Sequence, residues 1–500
     1  MLGTLIRNLS SQWLLYLLNA GMLLGITPLL MHGLGPSGFG VWVVAGNLVA
    51  WLMVLDFGVN AATVRSGAVL IREGRGDQFQ SLFHASLFLF LLIGLAVAGI
   101  GLLLGGFLPA RFFGEVMSRS DFIVFFALLG LALAFGFWGQ PFAAVLQAHQ
   151  RFDHVNYVKA VALLLRIGGY GWVIVSGYGL LGLALVTYLS SLLTWGGLML
   201  LSRRLFAWRI RLAAPERLWL SRLFGFGWLV LVVVVADQVR FQTDSIVIAA
   251  FASLPAVALF GIAATLSTVF RDVVGAVVSM LVPVFARDEI DVSFRARFLM
   301  ATRVFALAVW SLGGLIVVFG GPFIELWMGP EFVDGAVILQ VLMAGLLVAS
   351  AQTMSFSLLY GRAMHAPLAV LSVADALANI GLSLWLVQGY GALGVALGTA
   401  LPLVVTYALV FPWLVRRALG CTLLEYVREA LLRPALWGAA VMGAAFAVVW
   451  SVHPASWLSL VLEVTAMAGG CLILGWYLGF GRAGRAFLRD VASQRRPAGA

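Results

Sequence analysis

Residues 225–251 read GFGWLVLVVVVADQVRFQTDSIVIAAF. The run is long and apolar enough to cross a bilayer, which takes about 20 residues of helix. It nevertheless carries Asp237, Arg240 and Asp244. On one continuous helix these positions, i, i+3 and i+7, fall within about 60° of a single face. A charge at bilayer depth costs about 2.5–3.5 kcal/mol even on the lenient insertion scale. Three on one stripe must therefore face protein or water, and the rest of the chain reads as a multi-spanning membrane protein that supplies a polar setting for them.

Composition points the same way. Of the 500 residues, 62% are hydrophobic and 10% charged, with mean hydropathy +1.03. Soluble domains average about 25% charged residues, so the useful unit of length is the membrane span. The net charge is +10, and Lys159 is the single lysine. The arginines cluster in short loops between apolar runs, so the charge reports topology. Nucleic acid is not an expected partner, because no basic domain with aromatic platforms stands outside the membrane. Cys421 and Cys471 make neither a disulfide framework nor a metal spacing. The first apolar run reads as a retained span rather than a signal peptide, since many similar runs follow.

Fourteen candidate spans emerge, from 12–32 and 38–64 through 223–250, 255–286, 333–360 and 366–388 to 456–480. Alternate loops separate by charge. One set carries Arg7, Arg72 with Arg75, Arg151, the basic stretch from Arg203, Arg287 with Arg295 and Arg297, Arg362, and Arg416 with Arg417. The other set is HGLGPSG, a short loop with Arg111 and Arg119, SGYG, ASLP, an acidic loop with Glu325, Glu331 and Asp334, QGYG and SVHPAS. The positive-inside rule places both termini in the cytoplasm. Within the basic connector, Trp208, Leu218 and Trp219 interleave with arginines. That pattern suits a segment lying on an anionic leaflet or a solvated link between halves.

There is an internal repeat. Gly177–Thr187, GYGLLGLALVT, matches Gly389–Thr399, GYGALGVALGT, at eight of eleven positions. The preceding turns Gln150-Arg151 and Gly361-Arg362 share the same offset of about 212 residues. The turn GPSGFG at 35–40 also resembles LPAVALFG at 254–261. Two copies of a six-helix unit follow, both entering from the same side because six is even. The expected organisation is an N-lobe at 1–204, a basic connector at 205–222 and a C-lobe at 223–417. Two further spans at 430–481 and a cytoplasmic tail at 482–500 complete it. A parallel repeat of this kind places a site near the midplane between halves.

The candidate site residues are the polar groups inside spans. Arg240 is read as an attractor of an anionic headgroup, with Asp237 and Asp244 tuning it or taking up protons; an ion cluster that merely holds helices together is the structural alternative. In the next span Arg271 and Asp272 lie about 100° apart, so only one can face a central cavity: Arg271 is read as facing substrate and Asp272 as facing a helix partner. Arg166, followed by Gly168 and Gly169, is a third cation, alternatively one that snorkels to the interface. Asp56 and Asn60, at i and i+4, form a polar stripe ending at Arg65, and Asp375 with Asn379 repeats that spacing in the second half. Gln12 and Asn19 add polar groups to the first span, and Glu463 stands alone in the last. Arginine suits phosphate because its planar donors bind bidentately.

Enzyme signatures are weak. GLGPSG at 33–38 fits GxGxxG but lies between two spans and contains proline, so the strand–turn–helix context is missing. No catalytic residue, metal site or cofactor is expected, although coupling to a proton or sodium gradient stays open.

With GLGPSGFGVW, LDFGVNAATVR, TDSIVIAAFASLPAVALFGIA, PVFAR and the GYGxLGxAL repeat in this order, the chain resembles the polysaccharide (O-antigen-type) flippases. Those belong to the multidrug/oligosaccharidyl-lipid/polysaccharide (MOP) exporter superfamily. The resemblance covers the first twelve spans, and the additional pair is usual there. It implies an all-α polytopic membrane protein of about 14 transmembrane helices, with two six-helix lobes in a MATE-like V plus two C-terminal helices. It also implies alternating access that moves an undecaprenyl-pyrophosphate-linked oligosaccharide across the bacterial inner membrane for surface polysaccharide synthesis. Membrane lipids and polysaccharide polymerases would be its partners, and Arg240, Arg271 and Arg166 the cavity cations. Two rivals remain: a cation-coupled multidrug exporter of the same superfamily, and a membrane polysaccharide polymerase or ligase.

Overall fold

The structure is a computed structural model. It describes residues 2–109, 112, 114, 116–206, 208, 216, 218–219, 223, 228–285, 292–362 and 364–479. Arg287, most of the connector and the tail 482–500 lie outside the described residues. Within them the secondary structure is helical throughout. This follows from the composition: in lipid every backbone N–H and C=O must be satisfied inside its own segment, and helices achieve that.

In chain order the first elements are α1 (Leu2–Leu52), α2 (Val59–Arg72), α3 (Gly76–Phe107), α4 (Arg119–Ala148), α5 (Phe152–Val175) and α6 (Gly179–Leu205). Next come α7 (Trp228–Gln242), α8 (Asp244–Phe251), α9 (Leu254–Phe285), α10 (Val292–Met328), α11 (Gly335–Ala351), α12 (Thr353–Gly361) and α13 (His365–Val405). The last are α14 (Phe411–Leu419), α15 (Leu423–Tyr426), α16 (Arg433–Val452) and α17 (Trp457–Leu474). Among the described residues ten helices are long and apolar enough to span, or eleven if the bent pair α11–α12 counts as one. The number differs from the fourteen runs partly because α1 and α13 each hold two runs. Their legs meet at Gly35 (φ 70, ψ 170) and Gly391 (φ 55, ψ −132). These backbone angles are essentially reserved for glycine. The HGLGPSG and QGYG segments thus break these helices without a separate loop; at QGYG the legs fold back on each other, Asn379 bonding Thr399, and Pro36 opens the second leg of α1 at a position where its missing N–H costs nothing.

The second run is itself broken. After a 3₁₀ turn at Met53–Asp56, Phe57 (φ 48) and Gly58 (φ 75) are left-handed, and α2 starts afresh at Val59. The helix expected to run unbroken from 38 to 64 is therefore two pieces.

The chain divides into two compact units, Met1–Ala258 and Leu259–Ala500. In the first, α3 and α4 approach closely because Gly101 faces Gly130: a Cβ on Gly101 would lie 2.8 Å from the Gly130 Cα. Small residues allow this in membranes, where dispersion and close backbone approach replace the hydrophobic effect. Its core gathers Phe79, Phe83, Phe90, Phe137 and Phe142 with Trp208, Trp219 and Leu223. The connector tryptophans expected on a leaflet or in solvent are instead buried in protein. Trp208 sits between Phe83 and Phe142 and its Nε1 donates to Ser202 Oγ at 3.1 Å. In the second unit one core joins Phe294, Phe298, Phe411, Val415 and Tyr426, and another joins Leu315, Phe319, Val441, Ala445 and Leu460.

Candidate functional site

The described part of the charged stretch, residues 228–251, belongs to the first unit. Asn47 Nδ2 donates to Ser245 Oγ at 2.5 Å, and Gln238 Nε2 donates to the Ala50 carbonyl at 3.3 Å. Gly40 lies so close to Leu254 that a Cβ would meet the Leu254 carbonyl oxygen. These contacts set α7 and α8 along the second leg of α1. The stretch is not one helix: α7 ends at Gln242 and α8 begins at Asp244, with Thr243 between them.

The three ionisable groups consequently differ. Arg240 is 4% exposed and its Nη1 donates to Asp237 Oδ1 at 2.9 Å, whereas the Asp237 side chain is 54% exposed. Asp244 is buried. The Arg240 guanidinium also covers the Phe241 ring at 5.6 Å. The exposed member of the trio is thus an acid, and the cation behind it is already neutralised. Arg240 and Asp237 thus pair within one helix, at i and i+3, and this contact by itself joins no two helices.

Asp56 and Asn60 do not make a helical stripe. The break at Phe57–Gly58 turns Asp56 into a cap, whose Oδ1 accepts the Asn60 backbone N–H at 3.2 Å, satisfying one of the orphan donors at the start of α2. Arg65 stands on the exposed face of α2, opposite the buried Val59, Ala62, Thr63 and Leu70. Asn19 is exposed on α1, with its amide donating to the Leu15 carbonyl of its own helix at 2.8 Å. Gln12 and Tyr16 are exposed on the same face of α1, being seven and three residues before it.

Arg166 is half-buried and pairs with Ser190 of α6, Nε donating to Oγ at 3.2 Å. One turn further on, the Tyr170 and Thr187 hydroxyls lie 2.7 Å apart. Arg166 is thereby held between helices rather than reaching for the interface.

In the second unit, Arg271 is half-buried and Asp272 exposed. The expected assignment of Asp272 to a helix partner is corrected here: the buried face of α9 runs through Ser267, Phe270, Val274 and Val278, and Asp272 lies about 200° from it. Asp375 and Asn379 are both buried on α13. Thr406 Oγ1 donates to Asp375 Oδ1, and Asn379 Nδ2 donates to Thr399 Oγ1, each at 2.8 Å. Asn379 Oδ1 is buried with no hydrogen-bond partner. Both oxygens of Glu463 are likewise buried and unpartnered on α17, on the same face as Leu460 and Met467 of the second-unit core. Among the described residues no group of three or more His, Cys, Asp or Glu could hold a metal.

Sequence reading missed a charged cluster at one end of the first unit. Arg7 Nε meets Asp153 Oδ2 at 2.7 Å, Arg151 Nε meets Asp153 Oδ1 at 3.4 Å, and Asn8 Oδ1 accepts the Asp153 backbone N–H. Residues 146 positions apart carry no local signal of such pairing. It also missed Arg303, Glu429 and Arg433, where Glu429 Oε2 lies 3.4 and 2.7 Å from the two guanidinium groups.

Residues 5–288 match the family described as polysaccharide biosynthesis protein. The chain belongs to that family. It is similar to a putative O-antigen transporter of Shigella flexneri, 22% identical over 430 residues that cover 83% of this chain and 98% of the relative. Among solved structures it resembles the lipid II flippase MurJ in an inward closed conformation, with TM-score 0.75, 13% identity and coverage of 97% and 100% of the two chains. It also resembles an inward-facing multidrug-resistance MATE transporter of the MOP superfamily, with TM-score 0.67, 17% identity and coverage of 81% and 94%. The fold is therefore that of the MOP superfamily, and the chain is a multi-pass membrane protein. The family and these relatives are transporters and flippases rather than enzymes.

Proposed function

We propose that this protein flips an undecaprenyl-pyrophosphate-linked oligosaccharide across the bacterial inner membrane by alternating access, with both termini in the cytoplasm. The observation that carries the reading is Asp237, a carboxylate 54% exposed on the otherwise apolar helix α7. An acid exposed in such apolar surroundings is far more stable against water than against lipid. Exposed Asn19 and Arg65 put further polar groups on helices of the same unit. A wet polar surface lets a hydrated head cross while its lipid tail stays in the bilayer. Membership of a polysaccharide biosynthesis family supports a lipid-linked glycan as the substrate. Polysaccharide polymerases acting on the delivered unit are the expected partners.

In this proposal Arg65 and Arg166 of the first unit act on the pyrophosphate, Arg271 is a separate candidate cation of the second unit, and Arg240 positions Asp237. Asp375 is the coupling acid. Its carboxylate, the Asn379 carboxamide oxygen and the Thr399 and Thr406 hydroxyls form a set of oxygens that suits a proton or a sodium ion.

Reconstituted vesicles carrying a lipid-linked oligosaccharide with a fluorescent sugar provide the test. Replacing Arg65 or Arg271 with Gln removes a charge-assisted contact of about 1.5–3 kcal/mol, so head-group translocation is expected to fall roughly ten- to a hundredfold. Wild-type rates in the double variant would refute the assignment. A second reading, cation-coupled drug export, draws on the exposed acids Asp237 and Asp272; drug sensitivity with normal surface polysaccharide in a deletion strain would favour it.

A further inference from the structure

The apolar run 333–360 is bent. α11 and α12 meet at Gln352 with an angle of 44° between them. The run contains no proline, so the commonest cause of a sharp kink is absent. Side chains supply the cause instead. Thr353 Oγ1 donates to the Ser350 carbonyl at 2.8 Å, and the Gln352 N–H bonds Ala349 at 3.0 Å, three residues back rather than four. Hydroxyl back-bonding of this kind bends helices.

Gln352 and Tyr426 are both 0% exposed. The Tyr426 hydroxyl donates to Gln352 Oε1 and lies 2.8 Å from Ser355 Oγ. A phenol has one proton, so Ser355 donates while Gln352 receives. On its other side, Gln352 Nε2 reaches the Tyr407 carbonyl at 3.5 Å. Tyr407 belongs to a π turn at Thr406–Val410, and Tyr426 directly precedes a second π turn at Val427–Leu432. Three departures from α-helical regularity, on three stretches of chain, thus converge on one buried carboxamide. π turns inside helices are frequent at functional sites. A buried polar network has few satisfied arrangements, so it switches between discrete states rather than deforming smoothly. Flat ring faces surround it, with Phe356 stacked on Phe411 at 6.4 Å and 13°, and Tyr407 against Phe411 at 5.3 Å.

We infer that Gln352 is a hinge at which α12 changes its angle to α11, and that the Tyr426 hydroxyl is the latch holding the bent state. The inference does not depend on which molecule is transported.

The full-length protein, with Cys421 and Cys471 replaced by Ala and nitroxides at positions 337 and 361, reports the angle as a spin–spin distance. Both positions are exposed. The parent protein is expected to give one narrow distance. Tyr426→Phe keeps the ring and removes the latch, and Gln352→Leu removes the pivot amide. Each is expected to shift part or all of the distribution to a longer distance, because a straighter α11–α12 is longer end to end. If Tyr426→Phe does not fold, Ser355→Ala touches the same hydroxyl and is expected to shift the distribution in the same direction. An unchanged distribution in the variants that fold would overturn the hinge. So would a lower melting temperature without any change in distance, since that is the signature of packing alone.

Discussion

Asp237 and Arg240 illustrate how one pair of residues changes meaning once its surroundings are known. In the sequence both are charges in an apolar run. In the structure Arg240 is buried and Asp237 is the group that meets the outside. Removing the acid leaves the guanidinium without its 2.9 Å partner. Because Asp237 is more than a third exposed, the loss is discounted for solvent screening to about 1 kcal/mol. Asp237→Asn is accordingly expected to lower the melting temperature in detergent modestly, and a larger effect on transport than on melting would mark Asp237 as functional. Cys421 lies between α14 and α15, outside the spanning helices. Burial pushes its thiol above the ordinary value of 9.0, and nearby Glu425 adds to that, while Arg295 and Arg416 oppose it. A raised value means less thiolate at neutral pH. Iodoacetamide is expected to modify Cys421 more slowly than a free thiol at pH 7.5, with the rate rising as pH passes 9; equal rates would contradict the burial.

At the scale of elements, breaks matter as much as helices. Gly389 and Gly391 are close in sequence and equivalent by composition, yet Gly391 alone has φ 55 and ψ −132. A side chain there is strained by about 1–3 kcal/mol. Gly391→Ala is expected to destabilise the protein by that amount. Gly389→Ala, with nothing within 4 Å of its added Cβ, is expected to be neutral or slightly stabilising. Identical melting curves for the two would mean that the α13 break is not held by backbone geometry. The GYG pairs at 177–179 and 389–391 were legible as a repeat, and Gly179 (φ 57) and Gly391 (φ 55) share a positive φ. The break at Phe57–Gly58 was not legible. An apolar run with Asp and Asn at i and i+4 looks the same whether it is a continuous helix or a capped restart.

Across the whole molecule, two aromatic residues of the basic connector, Trp208 and Trp219, are buried in the core of the first unit. Trp208 is 8% exposed and Leu218 is 53% exposed. Trp208→Ala is expected to cost about 3–5 kcal/mol, as large aromatic deletions from a core do, whereas Leu218→Ala is expected to change little. Thermal unfolding distinguishes the two, and a silent Trp208→Ala would return the connector to the leaflet. The sequence by itself determined that the chain is helical and membrane-embedded, because hydropathy over some twenty residues is a local property and lipid forces each such run into a helix. It also determined the family, through the order of short motifs, and it drew attention to the polar residues proposed to carry the function. Only the tertiary structure decided which of those residues are open and which are spent on one another. Arg240 against Asp237, Arg166 against Ser190, Asp375 against Thr406 and Arg7 against Asp153 are pairings between groups whose sequence spacing ranges from 3 to 146 residues. Electrostatics and hydrogen bonding act over a few ångströms of space, and folding rather than sequence order sets which groups come that close.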